Sequence, residues 1–279
     1  MSIHLRPMTP ADIPAGMWLK EIAGWNQTRS DWERFLFASP HGCFVAEING
    51  KVAGTAATIS YESRFAWIGM VLVDPGRRGQ GIGTELLKKA IAHLDGCNIR
   101  CMKLDATPQG KPLYEKLGFV CEYELERWQL QRPPALGVVT AANVLEEDML
   151  EPDREIFGAD RGALLRSIAL EFPAFVLRAR KAANLTGYCF GRSGALADHL
   201  GPWVAQDEPS ARELLDEFLL RSRREAIFVD AMRNSPWAIK LLHERKFQYV
   251  RSLTRMYRGR NDFRGRPELQ GAILGPEFG

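Results

Sequence analysis

Residues 77–87 read RRGQGIGTELL, and three alternating glycines, Gly79, Gly81 and Gly83, run there straight into a segment of helical periodicity. Ile82, Leu86, Leu87, Ala90, Ile91 and Leu94 recur at the spacing of one buried helix face. A glycine-rich turn at a helix start is a device for holding phosphate. Residues without Cβ let backbone N–H groups close on an anion, and the helix adds its positive N-terminal end. Spacing decides between the devices. A dinucleotide fingerprint, G-x-G-x-x-G, begun at Gly79 needs glycine where Thr84 stands, and begun at Gly81 needs it where Leu86 stands. A Walker loop begun at Gly76 reaches Gly81 correctly but then has Ile82 where a lysine must reach the phosphates. What remains is Arg78-Gly79-Gln80-Gly81-Ile82-Gly83, with Arg78 adding positive charge, between the apolar run AWIGMVLVD (66–74) and the helix.

Working outward, IHLRPM (3–8), GCFVAEING (42–50), KVAGTAATIS (51–60) and AWIGMVLVD read as strands, with a helix over Ile13–Ala23 and another from Asp31. Ser30 with Glu33 three residues later predicts a capping box for the second helix, backed by Trp32, Phe35 and Leu36. Asn49-Gly50 predicts a hairpin tip, so the flanking strands pair antiparallel. Downstream come a strand in IRCMKLDA (99–106), a short helix in GKPLYEKLGF (110–119) ended by Gly118, and a strand in VCEYELERWQL (120–130). Gln131–Gly137, with two prolines, reads as a linker.

Beyond it lies an internal echo. Residues 104–128 are matched in kind by 229–257, and residues 66–87 by the shorter 198–215, in the same order, which suggests a duplicated module. The length of 279 residues agrees with two domains, expected at 1–131 and 132–279. With 46% hydrophobic and 25% charged residues the composition is globular, and a net charge of +3 is too small to call for nucleic acid. The five cysteines, Cys43, Cys97, Cys101, Cys121 and Cys189, form no C-x-x-C pair, so they are expected as reduced thiols with no metal site. The N-terminus lacks the apolar core of a signal peptide, and Ala66–Val73 is too short to cross a bilayer. The expectation is a cytoplasmic protein without a membrane partner, a monomer or weak dimer.

The sequence Arg78-Gly79-Gln80-Gly81-Ile82-Gly83 resembles the R/Q-x-x-G-x-G/A signature of the GNAT superfamily of N-acetyltransferases, and PLYEKLGF (112–119) resembles that family's second hallmark. The resemblance covers nearly all of residues 1–130. It implies an α/β fold, a mixed and mostly antiparallel sheet flanked by helices, and acetyl-CoA as cosubstrate. The pyrophosphate is then held by Arg78, Gly79, Gln80, Gly81, Ile82, Gly83 and Thr84, and the pantetheine arm lies on the backbone of Val71 and Val73 where two strands splay. Tyr114, matching the family's tyrosine near the sulfur, is implied as general acid. Many relatives carry a glutamate two residues before Val71, where this chain has Gly69, which suggests a bulge or close backbone approach instead. Glu62, Asp105 or a water chain could then serve as base. Trp25 and Asn26 are expected to face the acceptor, because in similar enzymes this segment walls that side.

The second half has no glycine between Val204 and Leu214, and Leu242 stands where Tyr114 does, five residues before a phenylalanine in both copies. It resembles the degenerate second module of YitH-like acetyltransferases, expected as a wall of the substrate cleft or a substitute for a dimer partner. The glycine-bearing tail GAILGPEFG (271–279) is left unplaced. The expected activity is transfer of an acetyl group from acetyl-CoA to a primary amine of a small molecule or peptide; a non-catalytic acyl-CoA-binding sensor or scaffold is the alternative.

Overall fold

A computed structural model describes residues 2–134 and 144–279, so residues 135–137 of the expected linker lie outside the described residues. The chain divides into two compact units, Met1–Cys121 with Met256–Asp262 and Phe278, and Glu122–Arg255 with Phe263–Glu277 and Gly279. Each is a mostly antiparallel sheet flanked by helices.

The first unit contains β1 (His4–Pro7), α1 (Ile13–Ile22), α2 (Arg29–Ala38), β2 (Cys43–Ile48), β3 (Lys51–Tyr61), β4 (Phe65–Val73), α3 (Ile82–Gly96), β5 (Cys101–Ala106) and α4 (Lys111–Lys116). The hairpin between β2 and β3 turns at Asn49 (φ 53°) and Gly50 (φ 73°), the pair of left-handed residues a tight hairpin demands. Helix α2 starts two residues earlier than expected. Thr28 is its N-cap, its N–H donating to the Asp31 carboxylate at 2.8 Å, while Glu33 is instead paired with Arg29. The alternative won because Thr28-x-x-Asp31 satisfies the same reciprocal geometry and lets the helix gain a further half turn. The strands run β1-β2-β3-β4-β5, antiparallel except for the parallel pair β4–β5. Helix α3 buries Ile82, Leu86, Leu87, Ala90, Ile91 and Leu94 against Phe44, Ile68, Leu104 and Phe119.

The second unit contains β6 (Val120–Gln131, from Glu122 on), α5 (Leu150–Phe157), α6 (Gly162–Glu171), β7 (Leu177–Lys181), β8 (Asn184–Ser193), β9 (Asp198–Ala205), α7 (Glu208–Arg221), β10 (Ala226–Met232), α8 (Pro236–Glu244), β11 (Gln248–Gly259, up to Arg255) and β12 (Gln270–Ala272). The run α5-α6-β7-β8-β9-α7-β10-α8-β11 repeats α1-α2-β2-β3-β4-α3-β5-α4-β6 element for element. Local geometry repeats as well, since Phe119 N donates to Tyr114 O at 3.1 Å and Phe247 N to Leu242 O at 3.0 Å. The division expected at residue 131 is not where the contacts divide. β6 pairs antiparallel with β10, from Leu125–Met232 to Gln131–Ala226, so Glu122–Gln131 belongs to the second unit. Trp128 accordingly packs in a core with Trp203, Phe218, Leu241 and Phe247.

Candidate functional site

Asp74 opens the glycine-rich loop by accepting the Gly76 N–H at 2.9 Å, which closes a single tight turn over Pro75–Arg77. Arg78 is extended, Gly79 (φ 77°) and Gly81 (φ 84°) are left-handed, and α3 begins at Ile82 with Glu85 N donating to Gly81 O at 3.0 Å. A Cβ on Gly79 or Gly81 would meet nothing within 4 Å, so the backbone conformation, not crowding within the chain, selects glycine there. The loop leads into the first turn of α3, whose leading N–H groups have no acceptor within the helix. Arg78, Gly79, Gln80 and Gly81 are exposed; the Ile82 side chain is buried in the core, leaving only its backbone for a ligand.

Beside this loop the sheet opens. β4 and β5 pair only at Ala66–Met102 and Trp67–Lys103, after which β4 continues to Val73 and β5 to Ala106 without partners in each other. β4 also bulges. Thr55 lies opposite Leu72 and Ala57 opposite Gly69, so Met70 and Val71 together face Ala56. Met70 adopts φ 54° and its carbonyl accepts the Thr55 hydroxyl at 2.8 Å. The irregularity expected at Gly69 thus falls one residue later, on a residue with a side chain, because the buried Thr55 hydroxyl holds the carbonyl there. Val71 and Val73 are half-buried along the opening.

Tyr114 sits on α4, its ring edge-on to Phe119 at 6.2 Å and close over Gly110, where a Cβ would stand 3.0 Å from Cε2. Burial pushes its phenol up to about 12, so it is protonated at neutral pH. Tyr114, Leu113, Val71 and Val73 pack on one hydrophobic cluster, and a Cβ on Gly83 would stand 3.6 Å from both Leu113 Cδ2 and Val73 Cγ2. Loop, open strand and α4 therefore converge. The two carboxylates lie apart from each other. Glu62 lies in the β3–β4 turn, paired with Arg64 at 3.3 Å. From Phe65 next to it to the bulge at Met70 is five residues of strand, roughly 16 Å. Asp105 is two residues beyond Lys103, the partner of Trp67, and so stands level with Gly69. Met102, Leu104 and Ala106 enter the core under α3, so strand alternation puts Lys103 and Asp105 on the other face.

On that other face, Lys103 is buried with its ammonium 5.1 Å from the Phe65 ring centre, a feature sequence reasoning passed over although one lysine in the apolar run IRCMKLDA signals it. Phe278, also missed, stacks on Phe35 at 4.8 Å and accepts the Tyr61 hydroxyl on its carbonyl at 2.8 Å. Between α1 and α2, Trp25 is half-buried, whereas Asn26 is buried, which leaves Trp25 the more accessible of the two.

In the second unit the helix start is already satisfied. Asp207 caps α7, accepting Ser210 N at 2.9 Å and Lys181 Nζ at 2.7 Å, and Lys181 together with Ser210 holds its carboxyl down at about 2. Glu208 is engaged by Lys240 and Arg212, and Leu242 is buried in the core. Among the described residues no group of His, Cys, Asp or Glu is placed to hold a metal ion, and no helix is long and apolar enough to cross a membrane.

The sequence pattern of the acetyltransferase (GNAT) family matches residues 13–119, and that of an acetyltransferase (GNAT) domain matches residues 149–270. Holothin acyltransferase from Pseudoalteromonas sp. (strain SANK 73390) is 26% identical over 262 residues, covering 91% of this chain and 87% of that one. The uncharacterized N-acetyltransferase YitH of Bacillus subtilis is 25% identical over 199 residues, 69% of this chain and 70% of its own. A solved structure from Pyrococcus horikoshii, assigned as an acetyltransferase, superposes with a TM-score of 0.83 and 26% identity over 99% of this chain and 96% of its own. A GCN5-related N-acetyltransferase from Sphaerobacter thermophilus shares the fold, at a TM-score of 0.67 and 18% identity over 92% and 95%.

Proposed function

The chain belongs to the GNAT acetyltransferases, as two GNAT domains in tandem, and from that premise we propose that its first unit moves an acetyl group from acetyl-CoA to a primary amine. The observation that carries this reading is the convergence of the left-handed glycine loop, the open edge of β4 and Tyr114 on one side of the unit. The residues fit the cosubstrate. The loop from Arg78 to Thr84 offers backbone N–H groups and a guanidinium to a pyrophosphate, and the backbone of Val71 and Val73, on the side of β4 that β5 leaves without a partner, offers strand-like hydrogen bonds to the amides of a pantetheine arm.

The attacking amine has a pKa of about 10.4 and must lose a proton before it can attack the thioester. Asp105, level with Gly69 on the face away from α3, is the base we favour over Glu62, which is tied to Arg64 at the far end of the strand. Tyr114, held protonated by burial, donates its proton to the departing thiolate and regains one from solvent. The bond formed is the amide C–N and the bond broken is the thioester C–S; the acceptor nitrogen loses two protons, one from the ammonium before attack and one after it, of which one balances the proton the thiol gains and the other passes to solvent. Trp25 is the aromatic surface we assign to the acceptor side.

Gly69, in place of the acid that many relatives carry, favours a second reading in which the loop binds an acyl-CoA without turnover. Thiol release from acetyl-CoA, measured against amines, amino acids, aminoglycosides and peptides, separates the two. Release stimulated by an acceptor supports transfer. Tight acetyl-CoA binding with no stimulated release on any acceptor supports the sensor.

A further inference from the structure

The strands of the second unit that correspond to β4 and β5 are β9 and β10, and they too pair in parallel only at one end, from Asp198–Ile227 to Leu200–Val229. Beyond that point they separate, and the gap holds a strand. β12 pairs antiparallel with β9 at Gln270–Val204 and Ala272–Trp203, and antiparallel with β10 at Ala272–Ala231. Ile273 N extends the ladder by donating to Asp230 O at 3.1 Å, and Gln270 Nε2 donates to Ile156 O at 3.0 Å. Gln270, Ala272, Ile273 and Leu274 are all buried to 3% exposure or less.

The fit around this segment is selective. A Cβ on Gly271 would stand 2.4 Å from the Trp237 ring, so only glycine passes under that indole. A Cβ on Gly201 would stand 1.9 Å from the Ile273 carbonyl oxygen. Gly201 lies in the bulge of β9, where Cys189 is opposite Trp203 and Gly191 opposite Leu200, the counterpart of the Met70–Val71 bulge of β4. At Gly201 two backbones approach at a distance that a side chain on that residue forbids.

We propose that the gap between β9 and β10 is a strand-binding site, and that Gln270–Leu274 of this chain is its resident ligand. The second unit then takes an extended peptide, small at positions 271 and 272 and apolar at 273 and 274, where the first unit, on the reading above, takes a pantetheine arm. Peptide and pantetheine present the same alternation of amide donors and acceptors to an open strand, so one fold serves both. Gly201 and Gly271 are the residues that convert the slot.

The test uses the full chain with a protease site inserted after Asp262, in an exposed stretch. After cleavage, the fragment from Phe263 onward is expected to co-elute with the rest of the chain on gel filtration. A labelled synthetic peptide of residues 263–279 is expected to exchange into the nicked protein, and the same peptide carrying Gly271→Leu to compete about tenfold more weakly or worse, from overpacking against Trp237. Free CoA in excess is expected to leave the fragment in place. Loss of the fragment on nicking, equal competition by the Gly271→Leu peptide, or displacement by CoA would each overturn the proposal. Hydrogen exchange on the uncut chain gives a second reading. The Ile273 amide should be protected as strongly as those of β9, and exchange at the rate of an open segment would refute strand binding. Neither measurement depends on transfer activity in the first unit.

Discussion

Gly81 holds φ 84° with empty space where its Cβ would go, so two effects of substitution can be separated. Gly81→Ala costs about 1–2 kcal/mol of loop strain from the left-handed backbone alone. It also places a methyl on the side left open for a ligand, so acetyl-CoA affinity by calorimetry should fall about tenfold or more. Arg78→Ala removes an exposed charge, and its effect on affinity should shrink as salt is raised, since exposed charges are screened. Unchanged affinity in both variants would remove the loop from the site. For Tyr114→Phe, kcat should fall about 10²-fold with acetyl-CoA affinity held, the range for loss of one proton transfer. Because burial raises the Tyr114 phenol to about 12, its ionisation contributes no alkaline limb to the rate near neutral pH. The stability sign follows from the same shift. A phenol whose folded value lies above its unfolded value of about 10 favours the folded state below pH 10, and that contribution is lost as pH climbs towards 12. An alkaline fall in Tm over that window, reduced in Tyr114→Phe, would report it.

At the scale of elements, the sequence carried most of the boundaries because they rest on local chemistry. The Asn49-Gly50 tip, the α3 face from Ile82 to Leu94 and the stop at Gly118 (φ 84°) all stand where turn chemistry and periodicity placed them. The start of α2 shows the limit of such reading. Two overlapping box patterns, Thr28–Asp31 and Ser30–Glu33, compete within six residues, and the first is formed. Thr28→Ala should therefore cost about 1 kcal/mol, measured as a lowered urea midpoint, and Ser30→Ala clearly less. The reverse order would move the cap back to Ser30. A bulge near Gly69 was legible, but its place at Met70 was not, because it depends on the Thr55 hydroxyl across the sheet reaching the Met70 carbonyl, a contact between strands that no local pattern encodes.

For the molecule as a whole, the asymmetry of the two halves predicts one acetyl-CoA per chain. In the second unit Asp207 already occupies the helix start with its own carboxylate, Pro209 has no N–H to offer, and β12 fills the strand gap. Titration calorimetry showing two equivalent sites would refute it. By itself the sequence determined the glycine-rich turn into α3, the duplicated order of strands and helices, and the absence of both that turn and the Tyr114 counterpart from the second copy, because each is written in residue types at short spacing. Only the tertiary structure decided where the last segments go. β6 follows the first copy in sequence yet pairs with β10, the tail supplies β12, and Phe278 stacks on Phe35. Likewise the positions of Glu62, in the β3–β4 turn, and Asp105, two residues beyond the Trp67–Lys103 pair, come from strand register and not from local pattern. The physical reason is common to all of them. An alternating apolar strand satisfies its hydrogen bonds on whichever sheet edge is open, so its partner is chosen by burial and by the gaps other strands leave, and neither is a property of the strand's own residues.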